Sequence, residues 1–149
     1  MKRFFLSTLA LLLTTISWAQ PKKVTWSYAV KEIAPMTYEV KITATPPPGW
    51  HIYSQFTPEG GPVPTTFTFN KNALVTLDGK VKETGKTKNY FDNNFKVNVV
   101  YFERDAVFTQ VVKLKGKVKT NLSGEVESMI CDDHTCMPPS THAFSIPLQ

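Results

Sequence analysis

The sequence predicts an all-β chain folded as a two-sheet antiparallel sandwich. Three observations carry that expectation. β-Branched and aromatic residues recur in short runs with a period of two. Clusters of Gly, Pro, Asp and Asn separate those runs. No stretch shows a sustained helical period with caps. Eight or nine short strands in about 130 residues suit a sandwich of the immunoglobulin-like type. A barrel or jelly roll is the competing arrangement.

The elements follow in order. Across residues 24–31, Trp26, Tyr28 and Val30 oppose Thr25, Ser27 and Ala29, as expected of a half-buried strand. Tyr38, Val40, Ile42 and Ala44 then alternate with Glu39, Lys41 and Thr43 in a second. Pro46-Pro47-Pro48-Gly49 reads as a rigid corner, because strand-like sequence continues on both sides. Further strands are expected over 65–69, 74–77, 97–102, 106–114, 117–122, 126–130 and 143–146. Turns are expected at 58–64, at Asp78-Gly79, at Glu103-Arg104-Asp105 and at Ser123-Gly124. The large rings of Trp50, Phe67, Phe69, Tyr101, Phe102 and Phe108 are expected in the core. There is no internal repeat and no low-complexity tract.

The first residues set the redox context. Lys2 and Arg3 precede an apolar run over 4–16, with Leu11-Leu12-Leu13 at its centre. Ser17-Trp18-Ala19 places small residues at the −3 and −1 positions of a cleavage site, completing a secretory signal layout. The run is short for a membrane span, and no cysteine follows it that could take a lipid anchor. The expected division is a signal peptide over 1–19 and one exported domain over 20–149, starting near Gln20. About 130 residues can bury a core without a metal or disulfide. Losing Lys2 and Arg3 leaves 15 basic and 12 acidic side chains, a net charge of about +3. Lysines alternate with other residues in Lys113-Leu114-Lys115-Gly116-Lys117-Val118-Lys119, which suits a solvated strand face rather than a polyanion site. Nothing resembles a nucleic-acid reader. No second run of spanning length occurs, so the processed domain is expected to be soluble.

The chemistry concentrates in Cys131-Asp132-Asp133-His134-Thr135-Cys136-Met137-Pro138-Pro139, which holds the only two cysteines. In an exported chain a lone pair is expected to bond to itself. Three readings compete. As a staple, the bridge closes a very short loop, worth about 2 kcal/mol. As a metal site, Cys131, Cys136, His134 and His142 offer soft or borderline ligands, with Met137 adding a thioether. That spacing is not a zinc pattern, His134 lies inside the cysteine loop, and exported thiols oxidise first, so no metal is expected. As a redox pair, the bridge sits in a loop stiffened by Pro138-Pro139, which favours reducibility. Asp132 and Asp133 should raise the thiol pKa values. Such a pair would react slowly with general thiols and mainly inside a docked complex. Exchange of this kind needs no cofactor.

Tyr90-Phe91-Asp92-Asn93-Asn94-Phe95 is the second notable stretch. Three rings in a polar turn are costly to expose, so they are expected to cover something. His51 and Tyr53 by themselves read as core or rim residues, and Met137 as a packing group.

Cys131 to Pro139 resembles the active-site segment of the N-terminal periplasmic domain of the DsbD thiol:disulfide interchange family: two cysteines in a short loop, an apolar residue, then two prolines. Gly49-Trp50-His51-Ile52-Tyr53-Ser54 is similar to the family's Gly-aromatic-x-aliphatic-Tyr stretch. Gly60-Gly61-Pro62-Val63-Pro64-Thr65 and the 90–95 stretch also resemble family segments. The resemblance implies an immunoglobulin-like sandwich whose cysteine pair cycles between dithiol and disulfide, as part of a protein-disulfide reductase system. It implies Cys136 as the attacking thiol and Cys131 as the resolving one. It implies an aromatic cap drawn from Tyr90, Phe91 or Phe95, with His51 and Tyr53 beside the cysteines and Met137 and Pro138 lining the site. Its implied partners are thioredoxin-like redox proteins, disulfide isomerases and the thioredoxin-like proteins of cytochrome c maturation. Two departures stand against full transfer. The cysteine loop is one residue shorter than in a well-known family member. The chain also runs to Gln149 without a transmembrane conduit or thioredoxin-like domain, so electrons are expected from a membrane donor in trans. The competing reading is a non-catalytic binding module with the disulfide as a pin.

Overall fold

The structure, a computed structural model, describes residues 23–93 and 95–149. The expected signal peptide lies outside the described residues. Eleven strands and no helix occur among the described residues: β1 (Thr25–Ala34), β2 (Thr37–Thr45), β3 (His51–Tyr53), β4 (Thr66–Phe69), β5 (Val75–Thr84), β6 (Thr87–Asp92), β7 (Val97–Phe102), β8 (Ala106–Leu114), β9 (Thr120–Ser128), β10 (Ile130–Cys131) and β11 (Ser140–Leu148). All named pairings are antiparallel.

One layer is the sheet β1-β2-β8-β5. The other is divided into β11-β9-β4 and β10-β3-β7-β6, with Met129 alone between the end of β9 and the start of β10. The core lies between the layers. Val40 and Ile42 of β2 and Phe108 and Val112 of β8 meet Ile52, Phe102, Leu122, Phe144 and Ile146 from the opposite side. The Phe108 ring touches both halves of the second layer, at 5.0 Å from Phe67 and 6.4 Å from Phe102. The strict alternation of β2 and β8 is the sequence signal for this layer, since every second side chain is buried.

Four sequence expectations meet a different outcome. β1 is an edge strand that exposes Tyr28 and Val30, and Trp26 is only partly buried against the core. Asp78-Gly79 is not a turn between strands but a bulge inside β5, with Gly79 at φ 75°. The buried Gln110 amide of β8 fills that bulge and donates to the carbonyls of Asp78 and Gly79. Ser123-Gly124 lies mid-strand in β9, where Gly124 is needed for close approach: a Cβ there would meet the Thr68 carbonyl oxygen, the Phe69 Cα and the Phe144 ring. Residues 117–119 precede the strand they were expected to begin.

β3 and β6 are the two strands that periodicity does not announce. β3 has only three residues and all are buried, so its two faces show no contrast. β6 is a polar edge strand. Together with β7 and β10 they carry the site. The inner face of this sheet, with Ile130, Ile52 and Phe102, joins the main core. Its outer face presents Cys131, His51, Tyr53, Tyr101 and Tyr90.

Candidate functional site

The cysteine segment forms a tight hairpin. The Met137 amide donates to the Ile130 carbonyl at 2.9 Å, and the Asp132 amide to the Thr135 carbonyl at 2.9 Å. Cys131 and Cys136 face each other between these two hydrogen-bonded pairs. In such a non-bonded position the Cα atoms approach to about 4.5 Å; here they are 4.0 Å apart and the sulfurs are joined. The turn is held by its own acid. The Asp132 carboxylate accepts from the amides of His134 at 2.8 Å and Thr135 at 2.6 Å. Those two bonds hold its pKa below the usual carboxylate range.

The two sulfur-bearing residues differ in access. Cys131 continues β10 and is 2% exposed, packed with Tyr53 and Val99. Cys136 lies beyond the turn and is exposed.

Opposite the hairpin, β3 places His51 in register with Cys131. Directly opposed residues carry their side chains on one face, with Cβ atoms about 5 Å apart. The His51 ring lies 4.3 Å from the Tyr101 ring and edge-on to Tyr53 at 5.2 Å. Its Nε2 shares a hydrogen bond with the Tyr53 hydroxyl at 3.1 Å. Burial pushes the His51 imidazole below its usual pKa, and the carboxylates of Asp133, Glu103, Asp132 and Asp92 pull it back. Tyr53 is pushed up to about 12, by burial first and then by Asp92 and Tyr101.

β6 supplies the rim. The Tyr90 hydroxyl donates to the Asp92 carboxylate at 2.6 Å, and the Phe95 amide donates to the same side chain at 3.2 Å. Asp92 is buried, so this side chain ties the aromatic rim to its strand. The Tyr90 ring stands edge-on to Tyr101 at 5.7 Å. Burial and then the Asp92 hydrogen bond raise the Tyr90 pKa. The result is a cavity of about 450 Å³ lined by the cysteine hairpin, His51, Tyr53, Tyr101, Tyr90, Asp92 and Phe95.

The cavity therefore brings together Cys131, Cys136, His51, Tyr53, Tyr90 and Phe95 from the residues singled out by sequence. It does not include Phe91, Met137 or Pro138. Phe91 follows Tyr90 in a strand and so turns to the other face, where it is half exposed. Met137 is half buried against the main core, and Pro138 is exposed beyond the hairpin. Tyr101, expected in the core, lines the site, and Asp92 joins it. A polar-tipped ring ending the apolar row Val97, Val99, Tyr101 was the available signal for the first. An acid set between aromatic residues was the signal for the second. Among the described residues, no three or more His, Cys, Asp or Glu side chains gather where they could hold a metal ion.

Fold and site together define a class: an antiparallel sandwich bearing one cysteine pair, with a buried and an open member, under an aromatic rim. The chain belongs to the family described as thiol:disulfide interchange protein DsbD, N-terminal, whose family model matches residues 17–148. It is similar in structure to the N-terminal periplasmic domain of ScsB from Proteus mirabilis, with TM-score 0.57 and 13% identity. That match covers 80% of this chain and 44% of the other, so this chain spans less than half of the ScsB structure. It is also similar to the reduced DsbD N-terminal domain of Neisseria meningitidis, with TM-score 0.50 and 15% identity, covering 81% of this chain and 83% of that one. The fold is accordingly the immunoglobulin-like sandwich of that family. Among curated proteins, none matches this chain.

Proposed function

We propose that the chain is an exported thiol:disulfide exchange domain whose Cys131–Cys136 pair relays electrons between redox proteins of the periplasm. The observation that carries this reading is the unequal access of the two cysteines within one disulfide, Cys136 exposed and Cys131 2% exposed. Exchange proceeds by in-line attack of a thiolate on one sulfur. A pair with one open and one buried member has a defined order. A donor thiolate first reduces the disulfide. Cys136 then attacks the acceptor's disulfide, and Cys131 displaces the acceptor and restores the bridge. The rim of Tyr90 and Phe95 lines the same cavity as the two cysteines, so a docking partner meets these rings beside the open Cys136.

The expected partners are thioredoxin-like proteins and disulfide isomerases, among them those of cytochrome c maturation, with a membrane or thioredoxin-like protein as electron donor. The division into a leader over 1–19 and a domain over 20–149 belongs to the same proposal; N-terminal sequencing of the secreted product near Gln20 supports it, and Met1 refutes it. The deciding experiment is equilibration with glutathione or dithiothreitol followed by thiol trapping. A reversible potential above about −250 mV is expected. A value below about −300 mV marks a structural bond and overturns the proposal.

A further inference from the structure

Resting on the exchange reading, we infer that His51 is the base that takes the proton from the Cys131 thiol when Cys131 resolves the mixed disulfide. The problem it solves comes from burial. An exposed thiol such as Cys136 can pass its proton to water, but Cys131 is 2% exposed and packed against Tyr53 and Val99. A thiol, not a thiolate, is what apolar surroundings favour, and the thiol cannot attack.

The groups lining the cavity offer few acceptors. Tyr53 holds its own proton to about 12. Asp132 is committed to the amides of His134 and Thr135 and is a weaker base for it. Asp92 accepts from the Tyr90 hydroxyl and the Phe95 amide. Asp133 and His134 sit exposed at the tip of the turn, away from the buried thiol. His51 is buried, opposite Cys131 in the strand register, and lines the same cavity. Its Nε2 meets the Tyr53 hydroxyl at 3.1 Å. With Nε2–H donating to that oxygen, Nδ1 carries the lone pair that accepts the proton. Burial lowers the pKa of the ring and so keeps it neutral and ready to accept, while the carboxylates of Asp133 and Asp132 from the hairpin, Glu103 after β7 and Asp92 from β6 oppose that shift and favour the imidazolium. The Tyr53 and Tyr101 rings pack against it.

The step balances as follows. Cys136 is bonded to the partner's sulfur. The Cys131 thiol gives its proton to His51, and the resulting thiolate attacks the Cys136 sulfur. The Cys131–Cys136 bond forms, and the bond from Cys136 to the partner breaks. The partner leaves with the electron pair as a thiolate and is protonated by the imidazolium or by water. The pair is oxidised by two electrons and the partner disulfide is reduced.

The test is stopped-flow reaction of the reduced protein with the aromatic disulfide dithionitrobenzoate. Attack by Cys136 releases one nitrothiobenzoate, and resolution by Cys131 releases the second. In His51→Gln and His51→Phe the first phase should be unchanged and the second slowed by about tenfold or more at pH 7, since an unassisted thiol is only a few per cent thiolate there. The wild-type second phase should rise on the acid side of about pH 6.5 and flatten, whereas the variants should climb into the alkaline range where a thiol ionises. Circular dichroism of each variant separates misfolding from chemistry, with His51→Gln the milder change. An unchanged second phase, or equal slowing of both phases in folded variants, overturns the role of His51 while leaving exchange intact. A wild-type pair that releases neither group overturns the exchange reading itself.

Discussion

At the residue scale, the site turns on unequal exposure within one bond. Cys131 ends a buried strand, whereas Cys136, five residues on, follows an exposed turn. In the reduced protein, Cys131→Ser should leave Cys136 reactive and able to hold a partner as a stable mixed disulfide. Cys136→Ser should leave Cys131 at least about tenfold slower toward an alkylating reagent, since access and thiolate character both fall on burial; equal rates would remove the basis for ordered attack. His51 adds a pH effect. Its folded pKa is depressed, so the unfolded chain binds this proton more readily. The stability it contributes is present above the unfolded value of 6.5 and is lost as pH falls through the lower folded value. Denaturant midpoints should therefore decline below about pH 6.5 in the wild type, and less steeply in His51→Gln.

At the element scale, short and irregular strands carry the candidate site while long regular ones carry the fold. β3 and β10 have three and two residues, yet their pairing brings His51 to Cys131. β6 holds the rim through the Tyr90–Asp92 bond. Replacing both Tyr90 and Phe95 with alanine should speed reduction of the oxidised protein by dithiothreitol several-fold without moving the unfolding midpoint by much; an unchanged rate would mean that the rim does not guard the sulfurs. β9 gives the contrasting case. Gly124→Ala places a methyl against the backbone of β4 and the Phe144 ring, and overpacking of this kind costs about 1–3 kcal/mol. Urea denaturation should show that loss, with exchange chemistry preserved in the folded fraction.

At the scale of the whole molecule, the sandwich is expected to fold without its disulfide. The core between β2, β8 and the opposing sheets is continuous, and the bridge spans a sequence separation of only 5. Chain entropy assigns so short a loop about 2 kcal/mol. The Cys131→Ser, Cys136→Ser double variant should fold with the same circular dichroism and lose no more than about that amount in denaturant unfolding. Collapse of the fold would instead mark the bridge as structural.

The sequence by itself determined the all-β class, the cysteine pair closing a short loop and the half-buried strands β2 and β8. Each of these is written locally, as a period of two or as turn residues at fixed spacing. It also pointed to His51, Tyr53, Tyr90 and Phe95 through resemblance of whole segments. Tertiary structure decided which faces those side chains occupy. Tyr101 and Asp92 enter the cavity, and Phe91 leaves it, because the register of β6 on β7 sets one side of each strand toward the hairpin. Gly124 and Asp78-Gly79 read as turns because glycine has the same local signature whether it ends a strand, opens a bulge or admits a neighbouring backbone. Which of these applies depends on the strand lying alongside, and that is set by pairing between residues distant in sequence.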